Sequence, residues 1–122
     1  MAAAPYALLD GPLAALVQDI DEVLAPLTVV AAEGRALFAF SSRRAAEAHL
    51  RSLPAEASPR LRVVFAAADD LRGKEELLRA GAAAGATLLD LDPNEDLRPR
   101  TSLALAQAIA YIASFRRNSA CF

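Results

Sequence analysis

Hydrophobic side chains near the start of the chain recur at helical intervals. Leu13, Leu16, Val17, Ile20 and Leu24 fall at i, i+3, i+4, i+7 and i+11, the spacing that gathers apolar groups on one face of an α-helix. Gln18, Asp19, Asp21 and Glu22 lie largely off that face. Pro12, behind Asp10 and Gly11, suits the first helical position. Pro26 stops the run, because the residue before a proline avoids helical backbone. The pattern predicts a helix from Pro12 to just before Pro26.

The pattern then changes. In "LTVVAAEGRALFAFS", Val29, Val30, Leu37, Phe38 and Phe40 are strand formers on either side of Glu33-Gly34. Gly34 can take the positive φ that a tight turn requires, so an antiparallel pair over 27–32 and 35–40 is expected. Ser41 or Ser42 can cap a helix in "RRAAEAHLRSL", with Ala46, Leu50 and Leu53 as its apolar face. "LRVVFAA" reads as a third strand. A helix is expected from about Lys74 to Ala84, with Gly73 separating it from a turn and Gly85 capping it. "TLLDL" reads as a fourth strand, ended by Asp92-Pro93.

A last helix is expected through Phe115, capped by Thr101 or Ser102. Gln107, Tyr111 and Ser114 form its thin polar stripe. A helix apolar nearly all round is buried on more than one side, either within the domain or against another subunit. A homodimer is the expectation from that face.

The order α–ββ–α–β–α–β–α predicts one α+β domain over 1–122, with a loosely held tail at about 117–122. Its core would be a mixed sheet of about four strands with a β-hairpin, packed by three or four helices. "LFAFSSRRAAEAHL" and "DLRGKEELLRAGAAAGATLLDLDP", followed by a final helix, resemble the N-terminal domain of the SseB family over roughly 27–115. Phe40, Ser41 and Ser42 match that family's strand end and helix start. Leu77, Leu78, Gly85 and Ala86 match its Leu-rich helix and Gly-Ala approach. The strand closes here on Asp92-Pro93 where the family has Asn-Pro. The resemblance implies an α+β fold and a cytoplasmic regulatory or interaction role. It carries no catalytic residue.

Composition sharpens this picture in a few places. Thirty of the 122 residues are alanine, each burying little area, so the larger side chains must define the core. The net charge is −2, the wrong balance for a protein built to neutralise phosphate backbones. Aromatics are few, so nucleic-acid binding is not expected. Arginines number twelve and Lys74 is the single lysine. One cysteine, Cys121, cannot form an internal disulfide. The opening residues lack a signal-peptide pattern and no apolar run reaches membrane-spanning length. A cytoplasmic location without membrane association is expected.

The densest chemistry is "TLLDLDPNED". Asp90, Asp92 and Asn94 fall at the first three ligand positions of a calcium loop, but Glu95 stands where that loop needs glycine and Thr101 where it needs a bidentate carboxylate. "LLDLD" resembles the first motif of haloacid-dehalogenase phosphatases. That chemistry needs a later lysine and further carboxylates around a magnesium ion, and no lysine follows. A small metal-dependent hydrolase or phosphoryl-transfer enzyme using Asp90 and Asp92 is the alternative reading. The leading one makes Asp90, Asp92, Asn94, Glu95 and Asp96 a wet acidic turn, able to steer a basic protein partner. Ser41, Ser42, Arg43 and Arg44 form the converse candidate, an anion site at a helix start, against plain capping. His49 is the only histidine and cannot alone make a zinc site. No cofactor, metal or catalytic residue is expected.

Overall fold

The structure, a computed structural model, describes residues 9–20, 23–31, 34–53, 61–93 and 101–120. Seven strands and three helices follow in the order β1 (Leu13–Ile20), β2 (Val23–Pro26), β3 (Thr28–Ala31), β4 (Gly34–Ala39), α1 (Arg43–Ser52), β5 (Leu61–Ala66), α2 (Leu71–Ala83), β6 (Leu88–Leu91), β7 (Thr101–Ala104) and α3 (Leu105–Ala120). The class is α+β, with a mixed four-stranded sheet as its larger half. That sheet has the order β3-β4-β6-β7, in which β4 and β6 are parallel and the outer pairs antiparallel. The other half is a three-stranded antiparallel sheet, β2-β1-β5.

Backbone bonds join the halves. The Ala14 N–H donates to the Phe40 carbonyl at 2.9 Å and the Phe40 N–H returns to Ala14 at 2.8 Å. Leu27 is the hinge between β2 and β3. Its N–H donates to Leu16 at 2.8 Å and its carbonyl accepts from Phe38 at 3.4 Å. Residues 23–31 therefore leave β1 at Leu27 and pass to β4. Because β5 opposes β1, β1 opposes the Phe40 end of β4, and β4 parallels β6, the strands β4, β5 and β6 all run the same way.

The expected helix from Pro12 to Pro26 is not formed; β1 and β2 occupy it. Alternate residues of β1 go to opposite faces. Ala14 and Leu16 pack beneath α1 with Phe40 and Ala46, while Ala15 and Val17 join Leu77 of α2. A strand covered on both faces needs apolar residues in unbroken succession. The run Leu13–Val17 is wholly buried, and its helical spacing is coincidental. β7 likewise occupies the predicted start of the last helix. Thr101 and Ser102 are strand residues, Leu103 turns into the core while Ser102 and Ala104 stay exposed, and α3 begins at Leu105. The Leu105 N–H donates to the Thr87 carbonyl at 3.0 Å, which satisfies one of the groups a helix start leaves open.

Other expectations hold with adjusted ends. β3 and β4 form the predicted antiparallel pair and Gly34 has φ +140°, while the turn residues 32 and 33 lie outside the described set. α1 is capped by Ser42, whose Oγ accepts from the Ala45 N–H at 3.1 Å. α2 begins at Leu71, not after Gly73, because the Asp70 carboxylate caps it by accepting from the Gly73 N–H at 2.9 Å. At its other end Gly85 has φ +98°. The Gly85 and Ala86 N–H groups donate back to Ala82 and Gly81, both at 3.0 Å, closing the helix as a glycine cap does. α3 runs past Phe115 to Ala120.

One helix thus covers one face of the sheet and two cover the other. Leu37, Ala39, Leu89, Leu91 and Leu103 project toward α2 and α3, meeting Leu78, Leu105, Ala108 and Ile112. Burying a leucine of this kind contributes roughly 1.5–3 kcal/mol, so this side dominates the core.

Candidate functional site

Parallel strands bring their carboxyl ends to one edge, the place where open α/β sheets commonly hold ligands. Here β4 ends at Ala39 and β6 at Leu91, paired in register. Both sequence-predicted clusters arrive at this edge. The serine-arginine stretch follows β4 and opens α1, and the aspartates close β6.

The structure couples the two clusters directly. The Asp92 N–H extends the strand pairing by donating to the Ala39 carbonyl at 2.8 Å. The backbone then turns left-handed, with Asp92 at φ +49°, a conformation aspartate tolerates better than most residues. That turn carries the Asp92 carboxylate across the edge. Its Oδ1 accepts from the Ser41 N–H at 2.9 Å, and the next residue, Ser42, caps α1. The helix start that could have attracted an external anion is furnished by Ser42 Oγ and, one residue before it, by the chain's own carboxylate.

Asp90 lies elsewhere. It is buried, and its Oδ1 accepts from the Ser102 hydroxyl at 2.7 Å on the neighbouring strand. Asp90 and Asp92 therefore do not present a shared pair of carboxylates, since each is bonded to a different element. Asn94, Glu95 and Asp96 lie outside the described residues, as does Cys121. Arg43 and Arg44 are exposed, and the Arg43 guanidinium stacks 4.9 Å from the centre of the Phe65 ring, which turns it toward β5. Among the described residues, no three His, Cys, Asp or Glu side chains converge as metal ligands.

His49 is more deeply placed than a surface helix histidine. Its ring packs against Phe40, 5.3 Å between centres, and edge-on to Phe38 at 6.0 Å. Burial lowers its pKa from the usual value, because taking the imidazolium from water disfavours the charged form.

A second polar centre, which sequence reasoning did not find, sits around Lys74. The side chain is fully buried. Its Nζ donates to the carbonyls of Leu9 at 2.7 Å, Ala68 at 2.8 Å and Gly11 at 3.2 Å. Three acceptors require three protons, which only the charged ammonium has. Burial lowers its pKa, while Asp10, Asp69 and Asp70 act in the opposite sense. Stripping an ammonium of water costs several kcal/mol, and hydrogen bonds from a charged donor return roughly 1.5–3 kcal/mol each. The arrangement is close to balance, so its effect is on where the chain is held. Beside it, the Tyr111 hydroxyl donates to Asp10 Oδ1 at 2.9 Å. Burial, then Asp10, raises the Tyr111 pKa. The one sequence hint was that the sole lysine stands three residues after a run of apolar and acidic residues.

No protein-family model matches the chain, and no curated protein matches it in sequence. Among the described residues, no helix is long and apolar enough to cross a membrane.

Proposed function

We propose that this chain is a non-catalytic α+β interaction or regulatory domain of the cytoplasm, binding a protein partner and associating with its own copy. One observation carries the reading: Asp92, the residue best placed for chemistry at the strand ends, has an oxygen bound to the Ser41 N–H. Asp90 is similarly engaged by Ser102. Carboxylates used to fasten α1 and β7 are poorly placed to act in concert on a substrate or a metal. Exposed apolar groups fit a protein partner, Val30 at 72% exposure on β3 and Phe115 on α3. The SseB-family resemblance points to the same kind of role.

Sedimentation velocity over a wide concentration range tests self-association, which predicts a dimer that dissociates on dilution. Thermal melting with added Mg²⁺ or Ca²⁺ tests the absence of metal chemistry. The reading expects an unchanged midpoint. A midpoint that climbs with the cation, and no longer does so in Asp92→Asn, would instead mark a metal-dependent enzyme.

A further inference from the structure

The segment from Leu9 to Pro12 enters β1 as a short strap across the helical face. Leu9 is completely buried beside Leu78, Leu105 and Ile112. Asp10 is exposed, and its carboxylate is reached by Tyr111 from α3. Lys74, from the first turns of α2, holds two carbonyls of the strap and one of the loop before its own helix. Among the described residues the strap thus has three fasteners of different kinds: an apolar plug, a side-chain hydrogen bond and a buried ammonium. Strands β1 and β4 behind it are fixed separately by their own backbone ladders.

A lysine near a helix start is placed against the helix dipole, whose positive end lies there. The three carbonyls that surround the ammonium offset that placement, together with the charges of Asp10, Asp69 and Asp70. Moving Nζ out of the cage removes three acceptors from the ammonium and two strap attachments in one step. Segments held by few such attachments open before the core does.

The geometry points to Lys74 as a latch: the Leu9–Pro12 strap opens as a unit, apart from the sheet, when the ammonium leaves the carbonyls of Leu9, Gly11 and Ala68. Opening lifts Leu9 out of its socket and uncovers apolar side chains between α2 and α3. The latch does not rest on the interaction reading above, although Tyr111, which reaches the strap, also packs against the exposed Phe115 at 4.9 Å between ring centres.

Thiol labelling in a Cys121→Ser background tests this. A cysteine replacing Leu9 reports strap opening, and one replacing Ala36, buried in β4, reports opening of the sheet. Their rate ratio cancels the intrinsic reactivity of the thiol. Lys74→Met is expected to raise the ratio at least about tenfold, in line with losing charged hydrogen bonds. In Lys74→Ala, n-propylammonium replaces the atoms removed and is expected to lower the ratio again. Tetramethylammonium, which has no N–H to donate, is expected to leave it high. Tyr111→Phe keeps the lysine and releases Asp10, so it should raise the ratio by a smaller factor even if the lysine variants fail to fold. Equal acceleration at both thiols, in any of these variants, would overturn the latch, as would no acceleration at either or rescue by both cations alike.

Discussion

Asp92 joins two elements whose sequences are far apart, and its substitution separates backbone from side-chain effects. Asp92→Ala loses the bond to the Ser41 N–H and keeps a left-handed backbone that alanine resists. A cost of about 1–3 kcal/mol is expected in denaturant unfolding. Asp92→Asn retains an acceptor and tolerates the same backbone, so it should fall within roughly 1 kcal/mol of the parent. His49 gives a pH signature. Its folded pKa is lowered by burial, so the unfolded chain binds the proton more readily. This contribution to stability is constant above the unfolded pKa, near 6.5. It declines as pH drops from there toward the lowered folded value, and is flat again below it. Unfolding free energies from pH 8 to 5 should show this step, and His49→Phe should remove it. The turn chemistry of Asp92-Pro93 was legible in the sequence. Its partner, 51 residues away, was not, because hydrogen bonds of that range depend on strand order.

Helix α2 meets β4 with no room to spare. A methyl group added at Gly81 would lie 2.6 Å from Leu37 Cδ2, closer than two carbons can approach. Gly81→Ala should therefore destabilise by about 1–3 kcal/mol, although alanine is the better helix former. A milder loss would mean that Leu37 changes rotamer, and pairing Gly81→Ala with Leu37→Val should then recover part of it. The helices α1 and α2 and the strands β3 to β6 were readable because their ends carry caps, turns and prolines. β1, β2 and β7 were not. A strand buried on both faces lacks the period-2 alternation that would betray it, and its apolar run satisfied a helical template equally well. Serine and threonine before an alanine-rich stretch serve a short edge strand as readily as a helix cap. The candidate site was legible as two clusters, but not as one place.

Strand β1 is the centre of the three-stranded sheet, pairing with β2 and β5, and links it to the larger sheet by the Ala14–Phe40 bridge. That bridge and the Leu27 bonds to Leu16 and Phe38 tie the two halves together, so a single cooperative transition is expected. Calorimetric and van't Hoff enthalpies should agree, and two resolved transitions would show that the halves melt apart. The same connectedness gives the buried lysine an unusual practical consequence. A lysine-specific endoprotease has one peptide bond to cut in the whole sequence, after Lys74, and that bond lies inside α2 between the buried side chains of Lys74 and Glu75. Digestion would then act as a clock for complete unwinding of α2, with a rate set by the unfolded population and untouched by motions of exposed loops.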